Sequence, residues 1–127
     1  MVVLDTNIII DHLRQSPNKE TLLKSIARKT QKEDLAISVL TVQELYEGKS
    51  TRDEEKEAYL LATIIPLRIL PYTYEVAQLA GKIARDAKHP LEFSDAAIAA
   101  TAITYGASLL TLNRQHFTSI PELEIEI

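Results

Sequence analysis

Three acids in this chain stand at or near the start of a helical run: Asp5, Glu44 and Asp95. Each has an ordinary structural explanation. Asp5 can cap the first helix, Glu44 can complete a T-x-x-E capping box with Thr41, and Asp95 can complement the dipole of a helix capped by Ser94. Such contacts stabilise by only ~0.3–1 kcal/mol each. Gathered within ~4 Å of one another, the same three carboxylates would repel by ~1–4 kcal/mol per pair. Capping does not offset that cost, whereas a divalent cation does, and oxygen-only ligands suit Mg²⁺ or Mn²⁺. A cation held by carboxylates with open positions lowers the pKa of a water and clamps a phosphate oxygen, the requirements of phosphodiester hydrolysis.

Whether the three acids meet depends on the elements around them. Val2-Val3-Leu4 reads as a short strand buried on both faces, which puts Asp5 at the carboxyl end of a central strand. In open α/β sheets ligands bind at that edge. Thr6-Asn7 turns the chain into a helical run from Ile8 to Leu13, and a second helix is expected over Asn18 to Lys32 from the spacing of Leu22, Leu23, Ile26 and Ala27. Leu35 to Val39 reads as a second strand. Thr41 to Glu44 then opens a helix that Gly48 closes, and Asp53-Glu54-Glu55 begins another that runs to Ile65 and stops at Pro66. Leu67 to Leu70 is a third strand. Thr73 caps a helix with Val76, Leu79 or Ala80, Ile83 and Ala87 as its inner stripe. From Ser94 to Tyr105 small and apolar residues surround the whole helix, so it belongs in the core, with Gly106 at C′. Ser108 to Thr111 is a fourth strand, Asn113 to Phe117 a turn or short helix, and Leu123-Glu124-Ile125 a last edge strand. This alternation predicts a mainly parallel sheet of four or five strands with helices on both sides. Helix starts that follow such strands share one edge, where the three acids would lie.

Bulk properties agree with an ordinary globular protein. At 127 residues the chain suits one domain, long enough to bury ~65–70 % of the surface its unfolded form exposes. No cysteine is present, which excludes a disulfide framework, a thiolate metal site and a cysteine nucleophile. The richest apolar run, Tyr59 to Leu70, is broken by Pro66 and Arg68, and no basic segment precedes an apolar stretch at the N-terminus, so a cytoplasmic location with no membrane partner is expected. A net charge of −4 argues against a protein that coats nucleic acid, but not against an enzyme acting on a few phosphates.

Four segments in order carry a resemblance: V-V-L-D-T-N at the start, S-x-L-T-x-x-E-L-x-x-G from Ser38 to Gly48, D-A-A-I-A-A-T-A from Asp95 to Ala102, and L-L-T-L-N-R-Q-H-F from Leu109 to Phe117. Together they closely resemble a PIN domain and, more narrowly, the VapC-type ribonuclease toxins of bacterial and archaeal toxin–antitoxin pairs. The resemblance implies a three-layer α/β/α sandwich formed by one PIN domain over residues 1–127. It also implies a Mg²⁺- or Mn²⁺-dependent endoribonuclease that hydrolyses RNA by a metal-activated water, a homodimer, and inhibition by a cognate VapB-like antitoxin. The family's catalytic and metal-binding positions fall on Asp5, Glu44 and Asp95.

Relatives commonly carry one or two further acids at the places held here by Asn113 and His116. Asn113 has no charge but can bond a metal-held water or hold Asp5 in place. His116 can offer a ring nitrogen, favouring Mn²⁺ over the harder Mg²⁺, or be a surface histidine ahead of a buried Phe117. The missing acids weaken the case for a second ion and motivate a rival reading, a PIN-like module that binds RNA or a partner with little or no cleavage. Thr6 and Thr111 are expected to support a carboxylate or a water. Arg114, Lys82 and Arg85 are candidates to follow an RNA backbone, although a solvated helix face is the better explanation of the latter two. An aspartyl phosphotransferase resembling haloacid dehalogenases would use Asp5 as nucleophile, but those enzymes carry Asp-x-Asp, and the second place here is Asn7.

Overall fold

Alternate side chains of the first strand enter two different cores. In the computed structural model, which describes residues 1–126, β1 spans Val2–Leu4 and every residue of it is buried. Val2 and Leu4 pack into one cluster with Leu35, Ile37 and Leu110, while Val3 joins Ala36, Leu70 and Leu109 on the opposite face. This period of two is what a strand buried on both sides requires.

The elements follow in the order α1 (Thr6–Arg14), α2 (Leu22–Lys29), β2 (Leu35–Ser38), α3 (Val39–Glu47), α4 (Glu54–Ile64), β3 (Arg68–Leu70), α5 (Tyr74–Asp86), α6 (Phe93–Thr104) and β4 (Ser108–Leu110). All pairings are parallel and the strand order is β3-β2-β1-β4, so β1 is interior. Helices α1 to α4 cover one face through Ile8, Ile9, Leu23, Ile26, Leu45, Leu60 and Ile64. Helix α6 covers the other through Ile98, Ala99 and Ala102, with α5 packed behind it through Val76 and Ala80 against Ala96 and Ala100. The result is the expected three-layer α/β/α sandwich. Small alanines on α6 let it lie close to both the sheet and α5.

Several boundaries differ from expectation for local reasons. The capping box at Thr41–Glu44 does not form. Ser38 caps α3 instead, its hydroxyl accepting the Leu40 N–H at 3.1 Å, so the helix begins three residues earlier and the strand ends at Ser38 rather than Val39. The next consequence is functional, because Glu44 is freed from the cap and lies a turn further along. Helix α2 begins at Leu22 rather than Asn18 because Thr21 caps it, accepting the Lys24 N–H at 3.2 Å. Ser94 lies inside α6, whose N-cap is Glu92. Gly48 follows α3 with φ −72°, an ordinary conformation, whereas Gly106 takes the left-handed φ of 65° after α6 that its C′ position requires. The expected last strand reduces to one parallel bridge, Leu109 with Ile125, following the turn in which Glu122 adopts φ 68°. The sheet therefore has four strands among the described residues.

Candidate active site

Because β1, β2 and β4 run in parallel, the residues that follow them emerge together. Asp5 leaves β1, Ser38 leads from β2 into α3, and Thr111 follows β4. The Asp5 N–H donates to the Leu110 carbonyl at 2.9 Å, which locks the two strand ends side by side. Asp5 is only 5 % exposed, and its carboxylate does not cap α1. Its Oδ2 instead accepts the Thr111 hydroxyl at 2.7 Å. Thr111 Oγ1 in turn accepts the Asn113 N–H at 3.0 Å and a longer contact from the Asn7 amide at 3.5 Å. Burial pushes the Asp5 carboxyl above the ordinary carboxylate range, although the Thr111 bond, the N–H groups of Thr6 and Asn7 and the charge of His116 pull it down.

Asp95 arrives at the same edge from the first turn of α6. Partial burial and then the nearby charge of Asp5 push its carboxyl up, with His116 opposing and Glu92 adding to the rise. The His116 ring lies 3.4 Å from the Asp95 carboxylate, Nδ1 to Oδ2, and is half exposed. His116 thus meets an acid rather than solvent alone, while Phe117 behind it is buried as expected.

Glu44 is held from the neighbouring residue of the same motif. Its Oε1 accepts the Thr6 hydroxyl at 2.6 Å, and Thr6 Oγ1 lies 2.9 Å from Thr41 Oγ1. A carboxylate only accepts, so the single Thr6 proton goes to Glu44 and the Thr41 hydroxyl donates to Thr6. The T-x-x-E spacing serves this relay between α1 and α3 rather than a cap. Thr41, expected only as a cap, and Asn7, expected only to turn the chain, are both structural parts of the site. The Asn7 Oδ1 accepts the Leu112 N–H at 3.3 Å, stapling the start of α1 to the segment after β4.

Asp5, Asp95 and His116 form one group, and Thr6 and Glu44 adjoin it through the chain at Asp5. Among the described residues, no three Asp, Glu or His side chains stand close enough together to chelate an ion as they lie. The donor chemistry still fits a hard divalent cation: burial makes both carboxylates costly to ionise, the charge of Asp5 adds to that cost at Asp95, and a half-exposed histidine balances it only in part. Arg114 is exposed in the short 3₁₀ turn Arg114–His116, beside Thr111. Lys82 and Arg85 lie on α5 away from this group; Arg85 pairs with Asp86 at 2.8 Å and Lys82 lines a separate hollow with Ile103 and Ile120.

Comparison with known proteins gives a consistent picture. The family model described as PIN domain matches residues 2–123. The chain is 35 % identical to Ribonuclease VapC19 of Mycobacterium tuberculosis over 98 % of each protein. It is 34 % identical to Toxin FitB of Neisseria gonorrhoeae over 92 % of this chain and 91 % of that one. A crystal structure of DNA-bound VapBC from Salmonella typhimurium aligns with a TM-score of 0.84 and 30 % identity, covering 98 % of this chain and 96 % of that chain. Matched by the family model over all but its ends, and by relatives along nearly its whole length, this chain belongs to the PIN domain family.

Proposed function

We propose that this protein is a metal-dependent endoribonuclease, the toxin of a VapBC-type toxin–antitoxin pair, with Mg²⁺ or Mn²⁺ held by Asp5, Asp95 and Glu44. The observation that carries the reading is the Asp5–Asp95 pair at the sheet edge, in a chain 35 % identical along its length to a protein named as a ribonuclease. When bound, the cation supplies Lewis-acid activation of water and neutralises charge on the scissile phosphate. Thr111 fixes the rotation of the Asp5 carboxylate, and Thr6 fixes that of Glu44, so neither side chain has to be ordered when substrate arrives. Asn113 contributes its N–H to Thr111 and holds Asp5 indirectly, while Arg114 offers a fixed positive charge to the RNA backbone. Hydrolysis with in-line attack by water leaves a 5′-phosphate and a 3′-hydroxyl. A VapB-like antitoxin is the proposed partner, as in the VapBC and FitAB complexes that share this fold. A second copy of the chain is proposed to complete a homodimer.

One observation favours a weaker activity: His116, at a place where relatives commonly have an acid, contacts Asp95. Cleavage of total RNA in Mn²⁺, in Mg²⁺ and in chelator separates the readings. Cleavage that needs the metal and is lost in Asp5→Asn, with the fold retained, is the expected result. If chelator changes nothing and Asp95→Asn matches the parent, the nuclease reading fails and a non-cleaving binding module takes its place.

A further inference from the structure

Two hollows flank the Asp5–Asp95 group, and Gln115 at the crest of the 3₁₀ turn lines both. One, of about 550 Å³, runs between α2 and the segment after β4 and opens onto Thr111, the hydrogen-bond partner of Asp5. The other, of about 370 Å³, opens onto Asp95 and His116. Their charges differ. The second carries Glu92 and Asp95 with His89 and His116, whereas the first carries Lys29 and Arg114 and no acid.

In a chain of net charge −4 that local excess is selective. The other cations of α2 are already occupied: the Lys24 ammonium donates to the carbonyls of Pro17 and Lys19, and Arg28 pairs with Glu20. Lys29 and Arg114 have no ion-pair partner among the described residues. Leu22 and Leu112, 41 % and 47 % exposed, line the same hollow and add apolar surface to its two charges. Single-stranded nucleic acid sets its phosphates on cations and its bases against flat apolar surface, usually aromatic, and here the leucines supply that apolar surface.

We propose that this hollow is the subsite for the single-stranded RNA segment on one side of the cut, with Lys29 and Arg114 on successive phosphates and Leu22 and Leu112 against a base. It rests on the ribonuclease reading above and adds to it the groove that holds the substrate. Lys29 is thereby a binding residue that neither its place on α2 nor the motifs around Asp5 marked out.

The test is fluorescence anisotropy of a short labelled single-stranded RNA on the intact protein in chelator, titrated with salt, beside initial rates of cleavage in Mn²⁺. Lys29→Gln and Arg114→Gln are each expected to weaken binding on the order of threefold to tenfold and to reduce the salt slope by about 0.7, one single-strand phosphate contact each. In cleavage they raise KM and leave kcat near the parent value. Lys29→Arg restores the slope, Leu112→Ser weakens binding without changing it, and Arg52→Gln, on an exposed turn elsewhere, changes neither. A role for Lys29 as counter-charge to the end of α2 would move the melting temperature and not the salt slope. If the parent cleaves but both glutamine variants keep its affinity and slope, the subsite is wrong and the nuclease reading stands. If the parent binds with the predicted losses but never cleaves, the nuclease reading falls and the subsite stands. A parent that neither binds nor cleaves overturns both.

Discussion

At Asp95 a single carboxylate carries opposing demands. Burial and the charge of Asp5 make it costly to ionise, and His116 relieves only part of that cost. Asp95→Asn removes the repulsion without changing side-chain size, so in chelator it stabilises the fold by on the order of 1 kcal/mol. The same change removes a proposed metal ligand. Scanning calorimetry with and without Mn²⁺ is expected to show the parent rising in melting temperature with metal and the variant starting higher but not responding. A variant that melts below the parent in chelator would mean that Asp95 is stabilised by its surroundings rather than strained by them. Thr6 makes the complementary case. Thr6→Val deletes the hydroxyl that bonds Glu44 and accepts from Thr41, two contacts across 38 and 35 residues of chain. It is expected to cost about 1 kcal/mol for the lost bonds and to lower kcat roughly tenfold, with Thr6→Ser restoring both. Equal kcat in Thr6→Val and the parent would remove Thr6 from the positioning of Glu44.

Elements show what the chain made legible and what it hid. The strands and the βα order followed from apolar runs punctuated by caps and prolines, and so did the shared edge, since helices that directly follow parallel strands all start at one edge. Asp5 and Asp95 were readable for the same reason: each immediately follows or opens an element. The cap beside Glu44 was placed on the wrong residue, because Ser38 and Thr41 are both good caps and only the packing of α3 on α1 decides between them. The Lys29 hollow was invisible for a stronger reason, being built from α2 and the segment after β4, about eighty residues apart, with no shared motif. His12 is another long-range meeting. Its Nδ1 lies 2.8 Å from the Thr21 hydroxyl and its Nε2 3.2 Å from that of Tyr59, so one ring joins α1, the cap of α2 and α4. Burial, then the charge of Lys24, holds this imidazole below its ordinary pKa of 6.5. A group with a depressed basic pKa contributes stability above its unfolded value that is lost as pH falls through its folded one. The melting temperature is therefore expected to decline below pH ~6.5, by only about one or two degrees because the ring is only partly buried. His12→Gln is expected to flatten that decline. A parent profile no steeper than that of the variant would show that His12 is not the titrating tie.

For the whole molecule the unanswered surface is apolar. No helix among the described residues is long and apolar enough to cross a membrane, yet Ile65 and Tyr74 are 75 % exposed and Phe93 72 %. Single exposed apolar residues are common on a monomer, but Tyr74 and Phe93 open two helices that pack on each other, and the Tyr72 and Phe93 rings lie 6.3 Å apart between centroids, joining α6 to the start of α5. Ile69 on the outermost strand β3 is 48 % exposed beside them. Exposed Arg68 on β3 discourages strand-to-strand addition at that edge, so burial of these side chains calls for packing of side-chain faces rather than extension of the sheet. A twofold dimer places the same aromatic and aliphatic groups of each copy against the other, which suits the aromatic enrichment of interface cores. Light scattering of the protein without antitoxin is expected to give twice the chain mass of 14.2 kDa. Phe93→Ser combined with Tyr74→Ser is expected to shift it to the monomer while leaving the circular dichroism spectrum unchanged. Should the parent and the double variant share one mass at every concentration, the dimer is formed elsewhere or not at all, and this face has another occupant.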